Sequence, residues 1–435
     1  MESPLSSEGG GKGAELKIVE VERITVDVPF TERVRRWNAL LVGQWRVSEI
    51  TRVVTDAGVV GYGETLPHYT WGRVTDEVVE RVRGKNPANF LGDDSLGAGL
   101  QMAIYDVVGK ALGVPAYRLF NLPKVRDWCP IAWWNTKMGP EDLAEEAKEA
   151  IARGYTAHKF KVRPWIDIYA QIEAVSAVTP PHYRIDVDWN EMLLNVGNAA
   201  PVLTALDRYE RIAIYESPLP HDDLEGYRQL RRKIVHPLAV HFSYGHGAPP
   251  FAMIAQGESC DGFVVGGGVS SVLQHGTLAG GLAKPFWLQL VGTGLTTALA
   301  AHLGAVLPLA QWPAITCLNN YSDDLLVEPL TISGGHLRVP EAPGLGVTVD
   351  EDALARYRME PPYTITYPHQ LLSVIWPGGR VMHYANMQQC WADFLAGNQP
   401  VQERGVRMEA MPDDGSRTWA DLYARLAHGP VRDQQ

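Results

Sequence analysis

Cysteine is scarce in this chain. Its four residues, Cys129, Cys260, Cys317 and Cys390, are scattered through 435 positions. No two stand in C-x-x-C spacing, which excludes a disulfide framework and a cysteine zinc centre and fits the reduced thiols of a cytoplasmic protein. Long apolar runs are missing too. None approaches the roughly 18–20 residues of a membrane helix, so no membrane segment is expected. Positive charge is in deficit, with a formal net charge of −11. A nucleic-acid footprint is basic and clustered, so no nucleic-acid partner is expected. The opening "MESPLSSEGGGKGAELK" has no apolar stretch of the secretory kind. From its Ser and Gly, residues 1–14 are expected to be a disordered lead. No glycine fingerprint follows the first strand-like run, which argues against an open dinucleotide-binding sheet.

What is present is alternation. Residues 15–65 alternate apolar and polar around the turn signal "DAG", and "AGLQMAIYDVVGKALG" has a helical apolar face ending in Gly. Residues 15–125 are therefore expected to form an α+β domain. From about 126 the pattern changes to strand-like runs separated by helical runs. The strand-like runs are "PIAWWN", "YTAHKFKV", "YRIDVDWN", "RIAIYESP", "PLAVHFS", "CDGFVVGG", "PFWLQLV" and "AITCLNN". Strands alternating with helices imply parallel βαβ units, and eight in succession imply a (β/α)8-type barrel over 126–325. The segment 326–360 is expected to return to the first domain. Residues 361–435 form a C-terminal extension, with "TWADLYARLAHG" as a terminal helix.

Barrel sites lie at the C-terminal ends of strands. The second strand ends in "HKFKVRPW", and its Lys159 and Lys161, two apart, share one face. The third strand presents Asp186, Asp188 and Asn190, the fourth Glu216, the fifth His241. The steps from Lys161 to Asp188, Glu216 and His241 are 27, 28 and 25 residues, one barrel unit each. Oxygen ligands on neighbouring strand ends suit a hard divalent ion such as Mg²⁺. An ion and two lysines make a site for an anion. A carboxylate there has a more acidic α-proton, and a lysine among cations has a lowered pKa and can act as base.

The residues "KFK", "DVDWN", "YESPLP", "GTGLTTALAAHLGAVLP" and "VPEAPGLGVTVD" resemble the enolase superfamily, in its mandelate racemase and muconate lactonizing enzyme branch, over roughly residues 15–358. The resemblance implies a capping domain over the barrel, Mg²⁺, and removal of a proton α to a carboxylate. It makes Lys161 the acid/base, Lys159 its electrostatic partner, and Asp188 and Glu216 the first two metal ligands. It also exposes departures. His241 stands where a third carboxylate ligand is usual, which admits Mn²⁺ or another divalent ion. The sixth strand ends in Gly266, Gly267 and Gly268, and Gly292 stands where a Glu is usual after the seventh.

A wall without a second base favours a lyase, a dehydratase of a hydroxy or sugar acid, because syn elimination needs one lysine only. The alternatives are a racemase, epimerase or cycloisomerase with a second base such as Tyr244 or His246, and a non-catalytic binding protein. The glycines are expected to open room for a larger substrate. Trp133, Trp134, Trp165 and Trp189 are expected near the mouth, with Asn190, Trp133 and Trp134 touching substrate. Arg33, Arg35 or Arg36 would clamp a second anionic group, Arg36 foremost, and His68 and Tyr69 belong to a second lid. The expected partners are a small-molecule carboxylate and other copies of the chain in a homo-oligomer.

Overall fold

The structure, a computed structural model, describes residues 16–69, 72–242 and 258–433. The lead 1–14 lies outside them. Strands β1 (Ile18–Asp27), β2 (Val47–Thr55) and β3 (Val60–Thr65) form an antiparallel meander. The expected turn lies between β2 and β3, with Gly58 at φ 76°, a conformation glycine takes without cost. The helix Ala98–Leu112 packs on β3 and ends at Gly113 in the left-handed region. Gly61 and Gly63 make that packing possible. A Cβ on Gly63 would stand 2.0 Å from the Gly99 carbonyl oxygen, and one on Gly61 2.4 Å from that of Ala103.

After the short β4 (Trp128–Pro130) comes a run of parallel strands. They are β5 (Trp133–Asn135), β6 (Ala157–Lys161), β7 (Arg184–Asp188), β8 (Ile212–Glu216), β9 (Leu238–Phe242), β10 (Gly262–Val265) and β11 (Phe286–Leu288). They make one seven-stranded sheet in sequence order, with a helix in each connection from β5 to β9 and between β10 and β11. The eighth expected run, "AITCLNN", is not a strand. It makes isolated parallel bridges, Ala314 with Ile131 and Ile315 with Gln289, that touch both edges of the sheet. Pro313 lacks an N–H, and Cys317 at φ 60° turns the chain into a short 3₁₀ turn, so the ladder cannot lengthen.

Beyond it, β12 (Ile332–Ser333) and β13 (His336–Arg338) pair with each other and with β4. The closing segment runs back over the first sheet. Leu345 N donates to Asp106 Oδ1 at 2.8 Å, and Met359 N to the Thr25 carbonyl at 2.9 Å. Residues 370–433 build a four-stranded antiparallel sheet in the order β16 (Arg407–Pro412), β14 (Gln370–Ile375), β15 (Val381–Tyr384), β17 (Val431–Asp433), with helices Met387–Leu395 and Arg417–Leu426. This unit is fastened to the loop after β6. Asp167 Oδ2 accepts from Gly405 N at 2.7 Å, and Trp165 packs edge-on against Trp391 and Phe394.

Candidate active site

Strand β6 reads Ala-His-Lys-Phe-Lys, so Lys159 and Lys161 point one way and Phe160 the other. Register aligns Lys161 with Asp188 and Asp188 with Glu216 across three strands. The result is a buried charge cluster. Lys159 Nζ forms an ion pair with Glu216 Oε2, stands 3.3 Å from Asp188 Oδ2, and donates to Gln289 Oε1 at 2.8 Å. It also lies 5.0 Å from the centre of the Trp287 ring. Lys161 forms an ion pair with Asp188 Oδ2. Asp188 Oδ1 accepts from Asn190 N at 2.9 Å. His241 Nδ1 is 3.3 Å from Glu216 Oε1.

Environment separates the two lysines. Lys159 is fully buried, which alone would lower its pKa, but Glu216 and then Asp188 outweigh burial and raise it. Lys161 faces one carboxylate, and burial together with the charge of Lys159 lowers its pKa. Glu216 is pushed up to about 7 by burial and by Asp188 beside it. Burial, then Lys159, keep His241 well below the ordinary imidazole value, so it is neutral.

The donor set fits a divalent cation through two of its members. Asp188 and Glu216 are hard oxygen donors, and both Glu216 oxygens are buried without a hydrogen bond beyond their ion pairs. His241 adds a softer nitrogen. Among the described residues no three such side chains stand as a ready-made metal cage, and Lys159 bridges the two carboxylates instead.

Other expected residues are redistributed. Trp134 shares the face of Lys159 and packs at 5.5 Å on Trp45, which packs at 4.5 Å on Tyr69. Tyr69 OH accepts from Gln289 Nε2 at 3.1 Å, so this lid residue reaches Lys159 through one side chain. Asn190 accepts from Arg163 Nη2 at 2.7 Å. Trp133 faces the helix layer, where its Nε1 donates to Glu146 at 2.9 Å; neighbours on a strand point opposite ways, so it cannot share the mouth with Trp134. Trp189 is fully buried, and Trp165 packs under the C-terminal unit.

Arg36 is exposed and paired with Asp142, while Arg33 is held by Glu146 and Arg35 by Glu32. Each lid arginine is paired with a carboxylate, Arg36 on the exposed surface. His68 turns out towards Tyr363 OH at 3.2 Å. The glycine wall is partly filled from the capping domain: a Cβ on Gly268 would stand 2.2 Å from Asp94, whose carboxylate accepts from Ser270 N and Ser271 N. Tyr244 and His246 lie outside the described residues.

Sequence reasoning missed Glu64, Trp45, Lys137 and Arg163. Glu64, fully buried, accepts from Thr293 N at 2.8 Å and Thr296 Oγ1 at 2.9 Å, and fills the space beside Gly292. A carboxylate on β3 gives no local sign that it will cross to the far strands.

The family described as "Enolase C-terminal domain-like" matches residues 142–353. The chain belongs to the enolase superfamily. Among curated members it is similar to a D-gluconate dehydratase of Thermoproteus tenax, 27% identical over 363 residues, covering 72% of this chain and 70% of the relative. Among solved structures it is similar to the N-succinyl Arg/Lys racemase of Bacillus cereus. That match has a TM-score of 0.65 and 22% identity, and it covers 79% of this chain and 98% of the other. A superfamily member from Roseovarius nubinhibens, solved in complex with magnesium, matches with a TM-score of 0.62 at 22% identity, over 79% of this chain and 99% of that one. These matches support an enzyme of the superfamily.

Proposed function

We propose that this enzyme removes the proton α to the carboxylate of a small hydroxy or sugar acid and expels the β-hydroxyl as water. The observation that carries this is the placement of two lysines on one strand face: Lys159 is fully buried between Glu216 and Asp188, while Lys161 pairs with Asp188 alone nearer the opening, where burial and the charge of Lys159 lower its pKa. Titratable neighbours whose pKa values are driven apart divide the acid and base roles. Lys161 takes the α-proton as the C–H bond breaks. It returns that proton to the departing β-hydroxyl as the C–O bond breaks, and where the α-carbon keeps its own hydroxyl the product is an enol that tautomerises to a 2-keto acid.

Lys159 stays protonated and lies against the negative charge that develops on the carboxylate oxygens. Trp134, Trp45 and Tyr69 shield this end from water. Asp188 and Glu216, with His241, would hold Mg²⁺ or Mn²⁺, which when bound supplies further positive charge to the substrate carboxylate. The seven strands with the bridged 314–316 segment are read as one closed eight-position barrel. The reading includes a cytoplasmic homo-oligomer, in keeping with four buried free thiols.

The gluconate dehydratase relationship favours elimination over racemisation, as does a wall in which Gly266–Gly268 offer no side-chain base. The test is to incubate candidate sugar acids with the protein in D₂O and follow the α-proton by NMR. Keto-acid formation that is lost in Lys161→Ala is the expected result. Deuterium uptake without elimination would instead establish an isomerase. No exchange with any hydroxy acid would overturn the proposal.

A further inference from the structure

Among the described residues, two basic side chains beside the mouth form no ion pair, although Asp188 bears on one of them, Arg163. Lys137 follows β5, and Arg163 follows β6 two residues past Lys161. Their exposures are 0% and 2%. Arg163 donates to the Val162 carbonyl at 2.6 Å and to Asn190 Oδ1 at 2.7 Å, both neutral acceptors, and its Nε is unpartnered. Lys137 Nζ is buried with no hydrogen-bond partner among the described residues. The nearby acids are already matched, because Asp188 and Glu216 pair with Lys159 and Lys161. The segment 243–257, outside the described residues, contains no Asp or Glu.

Arg163 is linked to the base through Asn190, whose Oδ1 accepts from Arg163 and whose N donates to Asp188, the partner of Lys161. Burial, then the charge of Arg163, hold the Lys137 ammonium well below its ordinary pKa, and Arg163 bears on Lys161 in the same sense. The C-terminal unit covers both. The Arg163 guanidinium lies 5.4 Å from the centre of the Trp391 ring, and Cys390 on the same helix acts on Lys137. Burying two basic groups after neighbouring strands is expensive unless a counter-charge arrives. A guanidinium fork with an ammonium beside it matches a carboxylate.

We propose that Lys137 and Arg163 form a subsite for a second carboxylate of the substrate, so that the enzyme selects dicarboxylic over monocarboxylic hydroxy acids. This rests on the α-proton chemistry above, with the reacting carboxylate at Lys159 and Lys161 and the distal one beneath Trp391.

The test titrates the full-length protein, with Mg²⁺ present, with a C6 sugar diacid and the matching C6 sugar monoacid by calorimetry. Wild type is expected to bind the diacid at least tenfold more tightly. Lys137→Met should erase that preference while moving monoacid affinity less than twofold, and Lys137→Arg should retain most of it. Lys137→Met should also raise the melting temperature of ligand-free protein, since it replaces a buried, unpartnered amine with an apolar side chain. If that variant does not fold, Arg163→Gln and Lys137→Arg decide on the same ratio. Equal affinity of wild type for the two acids, or equal loss of both in the variants, overturns the subsite. The two readings fail separately. Exchange in D₂O with no diacid preference removes the subsite alone, whereas a Lys137-dependent preference with no exchange removes the chemistry and keeps the subsite.

Discussion

Lys159 and Lys161 are the same residue type on the same strand face, and their neighbours give them different work. Two buried carboxylates surround the first; the second has one and sits nearer the opening, 13% exposed. A general base positioned in this way contributes about 10²–10⁴-fold. Lys161→Ala should therefore cut α-proton exchange by about that factor while leaving acid binding measurable by calorimetry. The pH profile carries a sign. An ammonium cannot accept the proton, so kcat/KM should rise with pH until Lys161 is neutral and level off below the ordinary lysine value of 10.5. A profile flat to pH 10 would remove Lys161 from the base role. His241 is neutral and so has a lone pair to offer. Calorimetric titration with Mg²⁺ and Mn²⁺ should show saturable binding that Asp188→Ala abolishes and that His241→Ala weakens more for Mn²⁺ than for Mg²⁺. Unchanged binding in His241→Ala would leave that residue as a partner of Glu216 only.

At the scale of elements, the strands were readable wherever side chains alternate. "KFK" gave away its face because the period of two is a local property of extended backbone. Which of Trp133 and Trp134 looks into the barrel was not readable, because reversing a strand's face exchanges them and both are apolar. The run at 314–316 read as a strand because composition does not show that Cys317 leaves the extended region. On β3, Gly61 and Gly63 mark where a helix comes close. Gly63→Ala should cost about 1–3 kcal/mol, or more if the helix cannot shift, read as a lowered urea midpoint.

Glu64 on the same strand tests burial directly. Burial raises its pKa above 4.5, so its contribution to stability is full below the unfolded value and declines as pH rises through the raised one. Thermal melts of Glu64→Gln should lack that decline. An unchanged pH dependence would mean that the Thr293 and Thr296 donors fully offset burial.

At the scale of the molecule, the C-terminal unit is part of the mouth. Phe394, 1% exposed, packs edge-on against Trp165. Phe394→Ala should cost about 3–5 kcal/mol in urea unfolding. If it also weakens diacid binding, the unit acts as the roof of the Lys137 and Arg163 pair. Stability lost with binding intact would make it a brace only.

The chain order alone placed Lys159, Lys161, Asp188, Glu216 and His241 at successive strand ends, because unit length and side-chain direction are set within each βα repeat. Packing between distant segments settled the rest: that Asp142 pairs with Arg36, that Asp94 and Glu64 cross from the capping domain to fill a glycine wall, and that Trp391 closes over Arg163. Charge neutralisation and access depend on what lies across a gap in space, and no local pattern of residues carries that information.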